Sequence, residues 1–246
     1  MIRHIEFARL YNFRDVGGYR TDDGMEVRWR RLYRSASLHM LADDDLGRFH
    51  ALGVRTVIDL RHPDEVARRG RAPEGPGYHN LPVEHRRWDT ARDYHPDAGI
   101  ARFFADRYLE VAHDGHAELR TALEVIAEAG NAPVVVHCAA GKDRTGLLIA
   151  LVLRLLGVPE EDVVADYALT GLARPQMVAY WEREHPGEPL QWAGFGEAPA
   201  EAMRLFLDEL GPVRDHCLRT LGVDESLVSA LRNHLLRNPD IEAISG

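Results

Sequence analysis

The chain has 246 residues, 45% of them hydrophobic and 28% charged, which suits a soluble globular protein with a real core, within reach of one α/β domain. Its net charge of −9 argues against nucleic acid as the main partner, because backbone binding wants a basic face; an anionic substrate in a locally positive pocket is compatible with it. Two cysteines, Cys138 and Cys217, make no disulfide framework, and together with the lack of a signal-type apolar run they suggest a cytoplasmic protein, export by a signal-free route staying open.

In chain order, GGYRTDDGMEVRW (17–29) reads as two short strands around the turn signal Asp23-Gly24. LYRS (32–35) is a further strand candidate, and LADDDLGRFHAL (41–52) has helical spacing with acids in its first turn. VRTVIDL (54–60) is a buried strand; RHPDEVARRGRAPEGPG (61–77) is a short helix and then a loop; YHNLPV (78–83) is another strand. Residues 100–129 are helical with a break near His113-Asp114-Gly115, giving two helices. APVVVHC (132–138) is the clearest strand, and an all-round apolar helix follows from Gly146 to Val158, too short for a bilayer and carrying Arg154. Pro159 is expected at the first position of the next helix. Residues 173–200 mix Trp181, Trp192, Tyr180 and Phe195 with Pro and Gly, and a helical C-terminus follows. The alternation predicts an α/β fold: a mostly parallel sheet flanked by helices, in one domain spanning 1–246 with a helical C-terminal part.

HCAAGKDRTG (137–146) stands between that clearest strand and the apolar helix, and it holds the only lysine, Lys142, among 30 basic side chains. Strand ends bind ligands in open α/β sheets, and free N–H groups at a helix start bind anions. A nucleotide Walker loop is ruled out: Val136 stands where its first glycine belongs, and Thr145 does not follow the lysine directly. What remains is Cys138, five residues, then Arg144. A thiol facing a helix start and cations is poised as a thiolate, and Arg144 can offer a planar fork to two phosphate oxygens. Gly141 permits an unusual turn, so the amides of Ala139, Ala140, Gly141 and Lys142 can line a phosphate site. No spacing of metal ligands is present, so neither a metal nor a cofactor is expected.

These residues resemble the cysteine-dependent phosphatases of the protein tyrosine phosphatase superfamily, and within it the bacterial group with the signature H-C-x-x-G-K-D-R-T-G. NFRDVGGY (12–19), LYRSASL (32–38), IDLR (58–61) with Glu65, the Asp166-Tyr167 step and LGV (221–223) also fit, so the resemblance covers nearly the whole chain. It implies the cysteine-phosphatase fold and metal-independent hydrolysis of phosphotyrosine, with phosphoserine, phosphothreonine or phosphoinositides as further substrates and inorganic phosphate as product. It implies Cys138 as nucleophile through a phosphocysteine, Arg144 and the loop amides as holders of the equatorial oxygens, Thr145 as a donor to the thiolate, and His137 as a support behind the loop. Lys142 is expected to meet a second anionic group, and 173–200 is a candidate lid, as related bacterial enzymes carry helical lids. Other readings of the same loop are a sulfurtransferase, a non-catalytic phosphate-binding module, or a thiol redox sensor.

The proton for the leaving oxygen lacks a Trp-Pro-Asp source; Trp88-Asp89-Thr90 is only a faint echo. Asp143 is the first candidate and Asp59 the second, with Asp89, Asp93 and Asp97 behind them. Arg14 either reaches the pocket or pairs with Asp15 to pin the N-terminal hairpin, and the structural role has the larger prior. The Arg28–Arg34 cluster reads as a solvated face before an acidic-lipid patch, and Cys217 as a small buried hydrophobe.

Overall fold

The β-branched run around Val135 becomes the middle strand of a five-stranded sheet in the computed structural model, which describes residues 2–190 and 192–239. Met1, Gln191 and residues 240–246, which the expectations for a domain over 1–246 and a lid over 173–200 include in part, lie outside the described residues. Across the sheet the strands are β1 (Arg14–Asp15), β3 (Leu32–Ser35), β6 (Val134–His137), β4 (Thr56–Asp59) and β5 (Gly77–Asn80). β1 is antiparallel to β3; the other pairings are parallel, so the fold is the expected α/β class with a mostly parallel sheet.

Side-chain alternation along the strands sorts two cores. Leu32, Ile58, Val134 and Val136 point into the larger core, while Tyr33, Val57 and Val135 point into the smaller one on the opposite face. Continuing that parity, Arg34 and Cys138 belong to the large-core side, and Ser35, Asp59 and His137 to the other. The small face is covered by Phe49 of α1 (Asp43–Ala51) and by Leu10, Phe13 and Met40.

The large face carries α4 (Gly99–Asp114), α5 (His116–Ala127), α6 (Asp143–Leu156), α7 (Glu160–Ala168), α9 (Ala200–Leu210), α10 (Val213–Arg219) and α11 (Glu225–Leu235). α6 is buried over nearly all its length, from Thr145 to Leu156. Each buried Leu or Val side chain contributes roughly 1.5–3 kcal/mol, so this helix is a rigid platform for the loop before it. The helices α2 (Pro63–Arg69), α3 (Thr90–Asp93) and α8 (Arg174–Glu184) lie outside this layer.

Several boundaries differ from the sequence reading. α6 starts at Asp143, three residues before the apolar pattern does, because the first turn belongs to the polar loop. It ends at Gly157 in a left-handed conformation (φ 89°), and Pro159 is the N-cap of α7, not its first residue. β5 covers Gly77–Asn80 only. The turn at Asp23-Gly24 forms, but β2 (Glu26–Val27) finds its ladder partner in β7 (Leu236–Arg237) at the far end of the chain. The Arg28–Arg34 cluster is not one solvated face, since Arg34 is fully buried. Among the described residues no helix is long and apolar enough to cross a membrane.

Candidate active site

The parallel register puts Ser35, His137 and Asp59 side by side at the carboxyl end of the three middle strands. From there the chain crosses Cys138–Lys142 and enters α6. Three consecutive loop carbonyls are tied away from the loop's inside. Ser37 N donates to Ala139 O (3.0 Å), Asn12 Nδ2 to Ala140 O and Gly141 O (2.9 and 3.0 Å), and Arg34 Nη2 to Gly141 O (2.9 Å). Among the described residues no acceptor holds the N–H groups of Ala139, Ala140, Gly141 or Lys142. Carbonyls fixed outward leave those amides facing the opposite way, the arrangement of an anion nest at a helix start. Gly141 is required for this: φ is +66°, and a Cβ there would lie 2.3 Å from Ser35 O.

The tethers rest on a buried ion cluster. Asp166 of α7 lies 3.2 Å from Arg14 Nε and 2.5 Å from Arg34 Nη1, with all three side chains out of solvent. Burial alone would raise the Asp166 carboxyl, but the two guanidiniums hold it well below the usual carboxylate range. Burial and the neighbouring Arg34 push Arg14 down to about 10. Arg14 also donates to the Asn12 side chain, whose amide holds the loop. Arg14 is therefore paired with Asp166, not with Asp15; Asp15 instead accepts from the Gly17 and Arg30 N–H groups.

Cys138 is 2% exposed at the base of the loop. Arg144, the second residue of α6, is gripped by Glu65 of α2: Nη1 donates to Oε2 at 2.6 Å and Nη2 to Oε1 at 3.2 Å. Its Nε lies 3.5 Å from Glu84. Of the five N–H donors of a guanidinium, Glu65 takes two and Glu84 faces Nε, so an oxyanion at the remaining edge meets Nη donors with Glu84 beside it. Burial raises the Glu84 carboxyl and Arg144 opposes the rise. The Thr145 hydroxyl is fully buried and has no hydrogen-bond partner among the described residues.

Asp143 opens α6 and accepts a hydrogen bond from Tyr108 at 2.7 Å. Lys142 Nζ lies 3.4 Å from the same oxygen, donates to Glu197 O at 2.9 Å and sits 3.8 Å over the Phe104 ring. Burial lowers Lys142, with Asp143 opposing. Lys142 and Asp143 line a cavity of about 700 Å³, together with Trp88, Asp89, Trp192 and Phe195. On the other side of Ala140 is a smaller cleft of about 280 Å³, bordered by Arg61, Glu65 and Trp181.

Asp59 is placed differently from a solvent-facing acid. It is fully buried and accepts from Arg61 Nη2 (2.6 Å) and Tyr78 (2.8 Å). Burial alone would raise it, but these donors hold it below the usual carboxylate range. His137 stands 3.6 Å from it, too far for a hydrogen bond; burial pushes His137 down to about 4. Asp93 is engaged by Arg86 and Arg92 at the surface, and Asp89 caps α3. Cys217 packs in the large core, its thiol pushed up to about 12 by burial. Among the described residues no three His, Cys, Asp or Glu side chains gather as a metal set.

From residues 173–190 and 192–200, Met177 and Phe195 border both the cavity and the smaller cleft. Arg69 of α2 pairs with Glu184 at 2.9 Å, Trp181 packs on Phe195, and Trp192 stands among Tyr94, Phe103 and Phe104 at 5.0–5.4 Å. Glu84, Tyr108 and Asn12 join the site only in the folded chain. Tyr108 and Asn12 lie 35 and 129 positions from their partners Asp143 and Gly141, with no local signal to connect them.

Residues 5–237 match the tyrosine phosphatase family. The chain is 33% identical over 201 residues to the triple specificity protein phosphatase PtpB of Mycobacterium tuberculosis, covering 71% of each chain. It is 30% identical over 152 residues to a tyrosine-protein phosphatase of Nostoc commune, covering 56% of this chain and 47% of that one. Among solved structures, TpbA of P. aeruginosa is similar at 20% identity and a TM-score of 0.36, over 85% of this chain and 88% of that one.

Proposed function

The chain belongs to the tyrosine phosphatase family, and on that premise we propose that it hydrolyses phosphotyrosine, phosphoserine or phosphothreonine, and phosphoinositides through a phosphocysteine on Cys138. The observation that carries this reading is the outward tethering of the 139–141 carbonyls, which leaves the loop amides beside Cys138 without a protein acceptor and supports an oxyanion there. The name of the mycobacterial relative, a triple specificity phosphatase, supports the breadth of substrate.

In the first step the Cys138 thiolate attacks phosphorus. The S–P bond forms while the P–O bond to the alcohol or phenol breaks, and that electron pair leaves on oxygen. Asp143 gives this oxygen its proton. The loop amides and Arg144 hold the equatorial oxygens, binding them best as charge spreads in the transition state. The orphaned Thr145 hydroxyl is free to donate to the sulfur. In the second step Asp143 takes a proton from water, water oxygen attacks phosphorus, and the S–P bond breaks to return thiolate and inorganic phosphate. Lys142 has three N–H donors, and its place on the 700 Å³ cavity supports contact with a second substrate anion. Residues 173–200 act as a lid in this reading, supported by the aromatic side chains they lay over that cavity. Asp59, committed to Arg61 and Tyr78, serves better as a prop for the loop than as the acid. Two unpaired thiols suit a reducing compartment, which supports the cytoplasmic expectation.

Acid quenching of an Asp143→Asn variant during turnover, followed by mass spectrometry, tests the intermediate. Phosphate is expected on the peptide containing Cys138; phosphate on a histidine, or on no residue, contradicts the reading.

A further inference from the structure

Beyond the 280 Å³ cleft lies a basin of about 450 Å³ with Arg9, Arg68, Arg69 and Arg183 on its walls. His39, Met40, Arg68, Arg69 and Tyr180 border both spaces, so one wall runs from Ala139 and Ala140 of the catalytic loop into the basin. Glu184 is the one acidic side chain among the lining residues, and it is shared between Arg69 (2.9 Å) and Arg183 (3.6 Å). Arg68 lies 3.8 Å from Asp64, whose same oxygen is also held by Arg87. Arg9 is exposed and has no acidic partner among the described residues. Four guanidiniums thus share one carboxylate and part of another, on a chain whose net charge is −9. Exposed pairs of this kind are weak, so an incoming anion re-pairs them at little cost.

We propose that this basin is a second anion subsite, selecting phosphopeptides that carry a carboxylate or a second phosphate near the phosphorylated residue; the proposal rests on the phosphatase reading above. A peptide suits the layout better than a lipid headgroup. Phosphates on one inositol ring lie within a ring's width of each other, a reach that Lys142 serves beside the loop. The basin lies past Tyr180 and Met40, a span suited to an extended chain, which advances about 3.3 Å per residue.

The test compares two phosphotyrosine peptides of equal length, one with acidic and one with neutral flanks, on the wild type and on Arg9→Ala/Arg68→Ala/Arg183→Ala. The wild type is expected to show a KM about tenfold lower for the acidic peptide, with the advantage shrinking as salt rises. The triple variant should lose that advantage, and Arg9→Ala/Arg68→Ala, which leaves residues 173–200 untouched, should keep the wild-type kcat on p-nitrophenyl phosphate. A wild type without preference, or a triple variant that keeps it, overturns the subsite. So does a triple variant that keeps the peptide preference and loses activity only on phosphatidylcholine vesicles containing a phosphoinositide, which gives the basin to a lipid. Calorimetric titration of Cys138→Ser with both peptides separates this from the underlying reading. If the wild type hydrolyses nothing, the phosphatase reading fails, while equal affinities of the two peptides for the Ser variant overturn the basin by themselves.

Discussion

The Tyr108 phenol donates a 2.7 Å hydrogen bond to Oδ1 of Asp143, and Lys142 Nζ approaches the same oxygen. Behind it the Tyr167 hydroxyl stands 2.6 Å from the Tyr108 oxygen. Burial, then the Asp143 and Tyr167 neighbours, raise the Tyr108 phenol well above its ordinary value, so it stays a donor at neutral pH. One carboxylate oxygen is thereby clamped, and in the proposed mechanism the other, Oδ2, serves the leaving group. Tyr108→Phe removes the clamp without opening a large cavity. The expected result is a kcat about tenfold lower on an alkyl phosphate and nearly unchanged on p-nitrophenyl phosphate, whose leaving group needs little protonation. Equal losses on both substrates would assign Tyr108 a purely structural role.

Lys142 is the next test. An ammonium on a flexible stem meets a point charge, while an arginine is planar and bulkier beside Arg144. Lys142→Ala and Lys142→Arg are each expected to lower kcat/KM at least about tenfold on a multiply phosphorylated inositol headgroup, and about threefold or less on p-nitrophenyl phosphate. Matched losses would remove the second-anion role.

The buried Asp166 hub makes a stability prediction. Asp166→Asn leaves Arg14 and Arg34 without their counter-charge, which costs about 3–5 kcal/mol. The loss should appear in urea unfolding at pH 7. Two pH windows follow. The unfolded chain protonates His137 near 6.5, while the folded one resists until about 4, so stability is full above 6.5 and drains as pH falls toward 4. Asp166 is depressed below 3.8, so its contribution is present above 3.8 and lost only below it. The gap between wild type and Asp166→Asn should therefore stay constant down to about pH 4. A gap that closes between pH 7 and 5 would contradict the ion cluster.

The sheet and the catalytic loop were legible because their signals are local: a β-branched run, a Cys-x5-Arg spacing, a glycine at the turn, an apolar helix behind. What surrounds the loop was not. For Arg14 the sequence leaves two roles open, reaching the pocket or pairing with Asp15; its partners are Asp166 on α7, 152 positions away, and Asn12, whose amide holds the loop. Asp59 sits at the expected sheet edge, yet the parity of β4 points it to the small-core side, where Arg61 and Tyr78 claim it. Tyr108 looks like any core aromatic in the apolar pattern of α4; only the packing of α4 on α6 brings its hydroxyl to Asp143. The early start of α6 escaped because Asp143 and Arg144 look like loop residues until their amides are seen at a helix N-terminus.

The central claim is that the Cys138 sulfur accepts the phosphoryl group. Hydrolysis of p-nitrophenyl phosphate in excess EDTA, wild type against Cys138→Ser of equal folded content, tests it most directly. The account predicts robust wild-type turnover and at least about a thousandfold loss in the variant. Phosphate release at the same rate from both proteins would contradict it.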